Sequence, residues 1–293
     1  MANERLLALR KRMAEEGIDA YYVPTSDFHD SEYVEPYFGC RQFLSGFTGS
    51  AGVMAVTKDF SGLWTDGRYF VQAKKQLAGQ DTKLMEMGSE GVPTIFEFLE
   101  DHLPEGGVLG FDGRVVNTAD GRRFERLAEK RHGSLSIGHD LAGEIWKDRP
   151  PLLAPQIWVL EERYSGETAV SKLSRLRAAM KEQKATVHSL DDIAWLLNIR
   201  KQSEDGNLLP LAHMLITGDS ARLFVDSRNF PPQLHPYFKD CGVLVERYED
   251  IYEAVSALRG EAVLVEPEKM NYALLKSIDG SNRVIEEMNP TSL

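Results

Sequence analysis

The chain has 293 residues, length for about two domains of ordinary size, and 42% of them are hydrophobic, enough to bury real cores. Asp and Glu number 45 against 34 Lys and Arg, a formal charge of −11, which excludes the broad basic face that a nucleic-acid backbone or an anionic membrane requires. No apolar run approaches the ~18 residues of a membrane span, and the start, MANERLLALRKRMAEEG, lacks a signal-peptide core. Cys40 and Cys241 have no CxxC spacing, so two free thiols in a reducing cytoplasm are expected.

Leu6, Leu7, Leu9, Met13 and Ile18 predict an amphipathic helix closed by Gly17. DAYYVPT follows as a strand, and SDFHDSEYVEPYFG as a polar loop. In RQFLSGFTGSAGVMAVT, apolar runs flank a glycine-rich turn; LWTDGRYF then opens the helical VQAKKQLAG. KLMEM reads as a strand, TIFEFLEDHL as a helix and GVLGFD as a strand. NTADGRRFERLAEKR is a helix with Asn117 or Thr118 as N-cap, and SLSIGHDL a last strand. Strands alternating with helices predict an α/β domain. Between about residues 148 and 165 helical periodicity stops and Pro150, Pro151 and Pro155 mark a connector. The pattern then restarts with the helix AVSKLSRLRAAMKEQK, the strand ATVHSL, the helix LDDIAWLLN, the strands HMLITG and ARLFVD, the helix NYALLKSI and the strand RVIEEM.

The restart is a repeat. Leu6, Leu9, Arg10, Met13 and Glu15 align with Leu173, Leu176, Arg177, Met180 and Glu182 at one offset (173 − 6 = 167). Leu63, Trp64, Asp66, Arg68 and Phe70 align with Leu223, Phe224, Asp226, Arg228 and Phe230 at another (223 − 63 = 160). Two ordered matches on different elements predict two copies of one α/β domain, residues 1–150 and 151–293, each a mixed sheet flanked by helices. An Asp kept in both copies at a strand end suits a helix cap paired with the following Arg. Gly67 allows a sharper turn than Ser227 does, so Arg68 can be displayed at a domain edge while Arg228 is structural.

Two other signals are weaker. Gly46, Gly49 and Gly52 are followed by a strand, where a phosphate-cradling loop would open a helix, so a hairpin turn is expected. Asp27, His29, Asp30, Glu32 and Glu35 offer metal-ligand types without a helical frame to aim them. No serine or cysteine sits in a GxSxG elbow.

RQFLSGFTGSAGVMAVT followed by LWTDGRYFVQAKKQL resembles the N-terminal domain of aminopeptidase P (Xaa-Pro aminopeptidase), of the creatinase/prolidase metallopeptidases. PTSDFHDSEY, IWKDRPP and LDDIAWLLNIR resemble the same family in the same order, and the tandem repeat points to its three-domain form. One departure follows Arg200, where the family's Gly-x-Asp and Asn-Pro are replaced by KQSEDGNLLP. The resemblance implies that catalysis belongs to a third, C-terminal domain. There two divalent metal ions, usually manganese, are held by two Asp, one His and two Glu, and act on peptides with proline second. It also implies a homodimer. The chain ends at EEMNPTSL, a helix-start signal, so it is expected to be the first two domains without the catalytic one, bearing no catalytic or metal-binding residue. By the resemblance Arg68 is the substrate-binding residue, facing the peptide cleft; an intradomain pair with Asp66 is the other reading. The rival function is a peptide- or protein-binding module of a creatinase-like protein without peptidase activity.

Overall fold

The amphipathic start folds as expected: helix Glu4–Glu15 buries Leu6, Leu9 and Met13, the apolar stripe at helical spacing. In the computed structural model, which describes residues 4–180, 185–188, 190–203 and 206–292, the chain divides into two units. One comprises residues 1–28 and 34–152, the other residues 29–33 and 153–293.

Unit 1 holds strands β1 (Ala20–Val23), β2 (Val53–Thr57), β3 (Ser61–Thr65), β4 (Lys83–Glu86), β5 (Val108–Gly110) and β6 (Ser134–Ser136), in the order β4-β3-β2-β1-β5-β6. Only β2 runs against the rest. The five co-directional strands therefore end at one edge, and β1 and β3 are buried along their whole length, as a sheet covered on both faces requires. Asn117 caps helix Thr118–Lys130 by accepting the Asp120 N–H at 2.9 Å.

Unit 2 holds β7 (Ile157–Val159), β8 (Ala185–His188), β9 (Ile199–Lys201), β10 (Ala212–Thr217), β11 (Ala221–Val225), β12 (Leu244–Arg247), β13 (Ala262–Val265) and β14 (Arg283–Glu286). Its main sheet, β12-β11-β10-β8-β13-β14, repeats the first in order and direction, with β10 as the lone reversed strand. The register repeats too. Val53 pairs with Trp64 and Met54 with Leu63 in unit 1, as His213 pairs with Phe224 and Met214 with Leu223 in unit 2. Leu173, Leu176 and Met180 fill the second core as their counterparts fill the first. Arg10 donates through Nε to the Thr57 carbonyl at 2.9 Å, and Arg177 to that of Thr217 at 3.2 Å. Glu182, partner of Glu15 in the alignment, lies outside the described residues.

The structure corrects three expectations. The glycine-rich stretch is not a hairpin turn. Residues Cys40–Ser45 form a helix stopped at Gly46, whose φ of +70° is the left-handed C-cap, and the β2–β3 hairpin turns at Lys58–Phe60 instead. A segment of six residues has too few turns to separate helix from strand by period. The connector carries β7, which pairs antiparallel with β9. Strands β12 and β13 and the helices His235–Asp240 and Asp250–Ser256 were not anticipated.

Candidate functional site

In open α/β sheets, ligands sit at the carboxyl ends of the strands, so the residues after β1, β3 and β5 of unit 1 are the place to look. Asp66 follows β3. Its Oδ1 accepts the backbone N–H of Arg68 at 3.0 Å, and the Arg68 guanidinium closes on both carboxylate oxygens, Nε on Oδ1 and Nη2 on Oδ2, each at 2.8 Å. The side chains are 37% and 71% exposed. Hydrogen bonds from Arg68 hold the Asp66 carboxyl down to about 2. The guanidinium lies 5.4 Å from the Tyr69 ring, whose hydroxyl shares a 2.6 Å hydrogen bond with Ser50 Oγ. The structure therefore brings Asp66 and Arg68 together and leaves Arg68 facing solvent.

Unit 2 builds the same clamp after β11: Arg228 donates its N–H to Asp226 Oδ1 at 2.8 Å and Nη2 to Oδ2 at 2.6 Å. The conformational role assigned to Gly67 is corrected by this. Gly67 is not left-handed, an added Cβ would meet nothing closer than Phe70 Cε2 at 4.0 Å, and Ser227 takes the same place. The Asp-centred turn, rather than the glycine, displays the arginine.

Sequence reasoning missed Arg41. It is 4% exposed and donates Nε to Thr25 Oγ1 at 2.6 Å, Nη1 to the Phe47 carbonyl at 2.8 Å and Nη2 to the Gly49 carbonyl. Thr25 Oγ1 in turn donates to the Gly52 carbonyl at 2.6 Å. One buried guanidinium thus satisfies the carbonyls of the glycine-rich loop and ties that loop to the end of β1. Burial pushes Arg41 down to about 10, and no carboxylate among the described residues pairs with it. Gly49 is required because an added Cβ would stand 2.2 Å from Phe47 Cζ. The available signal was a cation just before the apolar pair Phe43–Leu44, next to backbone that needs donors.

A second clamp was also missed, although Asp-Gly-Arg recurs in the sequence at residues 112–114. After β5, Arg114 donates its N–H and Nε to Asp112 Oδ1 at 3.0 and 2.9 Å, and Nη2 to Oδ2 at 2.9 Å.

The candidate ligands of the polar loop do not converge. Asp27 lies in unit 1, while His29 falls in unit 2, where its Nε2 meets the Tyr248 hydroxyl at 2.7 Å and its ring packs on that of His213, tilted by 39° with centroids 4.2 Å apart. Among the described residues no three His, Cys, Asp or Glu side chains are grouped to hold a metal. Cys40 and Cys241 are both free, and burial pushes the Cys40 thiol up to about 12, far from a thiolate nucleophile. No helix among the described residues is long and apolar enough to cross a membrane.

Two family models described as the creatinase/prolidase N-terminal domain match the chain, one over residues 5–142 and one over residues 148–293. Aminopeptidase P2 of Arabidopsis thaliana is 35% identical over 94% of this chain and 40% of its own length. A probable Xaa-Pro aminopeptidase P of Neurospora crassa is 33% identical over 98% of this chain and 44% of its own. Among solved structures, an X-prolyl aminopeptidase of Caenorhabditis elegans, described as a cytosolic enzyme with a di-nuclear active site, superposes with a TM-score of 0.87 at 30% identity. It covers 97% of this chain, which spans 50% of that one. The chain thus spans about half the length of these relatives or less, and the resemblance carried by RQFLSGFTGSAG and WTDGRYF holds along both of its halves.

Proposed function

Since the chain belongs to the creatinase/prolidase N-terminal domain family and carries that domain twice, we propose that it forms the non-catalytic N-terminal region of a metal-dependent Xaa-Pro aminopeptidase. Such an enzyme removes the first residue from peptides with proline in second position. The observation that carries this reading is the likeness of the whole tandem pair, at a TM-score of 0.87, to the nematode X-prolyl aminopeptidase. In this reading residues 1–150 and 151–293 are two domains that support assembly of a cytoplasmic homodimer and shape its substrate cleft. The two metal ions of such an enzyme, manganese in the family's usual form, would be held by residues outside this pair of domains and would supply an activated water for hydrolysis of the Xaa–Pro bond.

Arg68 contacts the peptide. Asp66 occupies its Nε and Nη2, and the fork is held rigid while most of the side chain stays in solvent. A permanently charged planar donor fixed in that way suits a peptide carboxylate or carbonyl.

The test has two arms. The gene read past codon 293 should encode Asp, Asp, His, Glu and Glu ligands in the family's order; without them, the chain would be a peptide-binding module of a protein lacking peptidase activity. In the whole enzyme, Arg68→Ala should raise KM for longer peptides and leave metal content and the unfolding midpoint in place. A lowered midpoint with unchanged kinetics would make Arg68 a structural partner of Asp66 only.

A further inference from the structure

The protein contains its own control, because it builds one fold twice. A feature that one unit lacks is not demanded by the fold and is free to serve something else, whereas presence in both does not by itself separate fold from function. The clamp after β3 is built in both units. The clamp after β5 is not. Unit 2 repeats that strand–turn–helix closely: β13 takes the place of β5 beside the first strand of its sheet, and Asn271 caps the following helix by accepting the Leu274 N–H at 2.9 Å, as Asn117 does in unit 1 (271 − 117 = 154). At the same offset, Asp112 becomes Glu266 and Arg114 becomes Glu268, and Glu266 pairs with Lys269 at 3.5 Å instead. The turn folds without an arginine clamp.

In unit 1 the arginine is nevertheless held on two sides. Asp112, its side chain 8% exposed, grips it from one side, and the ring of the buried Phe28 lies 5.0 Å from its guanidinium carbon on the other, yet 42% of its side chain faces solvent. That is a pre-organised fork at the same carboxyl edge as Arg68. The strands β3 and β5 are separated by β2 and β1, so the two forks stand about 14 Å apart at ~4.8 Å per strand, the reach of about four residues of extended peptide.

We infer that Arg114 is a second substrate-positioning residue, holding a carbonyl or terminal carboxylate of the peptide about four residues from the group that Arg68 contacts. This rests on the Xaa-Pro aminopeptidase reading. It is tested in the whole enzyme with a tripeptide and with a nonapeptide sharing its first three residues. Arg114→Ala should raise KM about tenfold for the nonapeptide, the loss of one charge-assisted hydrogen bond, and leave KM for the tripeptide and kcat for both unchanged. Because Arg114→Ala strands the Asp112 carboxylate, the pair Asp112→Asn with Arg114→Gln is measured beside it and should show the same length dependence. An equal KM rise for both peptides, or no rise for the nonapeptide in either variant while Arg68→Ala still raises it, overturns the inference and leaves the reading of Arg68 intact. If Arg68→Ala also leaves KM unmoved, the reading fails and this inference with it.

Discussion

Two buried imidazoles in contact should make the stability of unit 2 depend on pH between 7 and 5. His29 and His213 are both buried, and His213 Nε2 finds no partner. Asp192, Glu266 and Lys269 line the same small cavity, and the Tyr248 hydroxyl meets His29 Nε2 at 2.7 Å. Burial lowers His29 from an ordinary 6.5 to about 3; burial, with His29 adding its repulsion, puts His213 well below its ordinary value. The folded state therefore binds fewer protons than the unfolded one below pH 6.5, so the stability these groups confer is whole above that value and lost as pH falls. For His29 alone, moving from pH 7 to pH 5 costs about 2 kcal/mol, approaching 1.4 kcal/mol per pH unit at the lower end. His213 adds a loss of the same sign. Urea unfolding followed by circular dichroism between pH 8 and pH 5 reads it directly. His29→Phe keeps an aromatic ring there without a titrating one, and should remove about 2 kcal/mol of the change between pH 7 and pH 5 whatever it does to stability at pH 8. A pH slope that His29→Phe leaves unaltered would refute the reasoning.

Other substitutions test the loop and the clamps. Arg41→Met leaves the Phe47 and Gly49 carbonyls without their donor and should cost on the order of 2–5 kcal/mol in urea unfolding; a loss below about 1 kcal/mol would mean that water replaces the guanidinium. Gly49→Ala, whose Cβ would meet Phe47 at 2.2 Å, should cost about 1–3 kcal/mol, while Gly67→Ala should stay within about 0.5 kcal/mol of the parent. Equal effects at the two glycines would contradict their local geometry. The Asp66 carboxyl should titrate near 2 by carbon-detected NMR, and return toward 3.8 in Arg68→Ala.

The legible parts of the fold were those whose physics is local and repeated. Leu6, Leu9 and Met13 mark one helix face at a period no strand shares, and their recurrence at residues 173, 176 and 180 exposed the duplication. Asp66 and Arg68 were legible as a pair because an acid at a strand end binds the N–H two residues on, an interaction confined to three residues. The part in binding proposed for Arg68 depends on what lies opposite it, which no local pattern encodes. What stayed hidden depends on partners distant in sequence. β7 is three residues long and becomes a strand only through β9, some forty residues later. β12 lies at the sheet edge with no fully buried residue, so alternation never appears. Arg41 looks like a surface cation until Thr25 and Gly49 are brought to it.

The two copies also say where the chain was lengthened. From the β1 residue Ala20 to its partner Thr57 in β2 is 37 positions, and from Ala185 to Thr217 in unit 2 it is 32 (57 − 20 and 217 − 185). From the end of β4, Glu86, to Leu109 is 23, and from Arg247 to Val263 it is 16 (109 − 86 and 263 − 247). Both longer connections in unit 1 leave the sheet at the carboxyl ends of β1 and β4. The first carries Thr25, Phe28, Arg41 and the glycine-rich loop. Extra backbone in a loop raises the entropic cost of closing it only slightly, but those groups bring costs of their own: a buried guanidinium with no carboxylate partner among the described residues and a glycine at which an added Cβ would crowd Phe47. Unit 2 folds with shorter connections. The added length and these groups thus gather at the carboxyl edge of unit 1, the edge that carries Arg68 and Arg114.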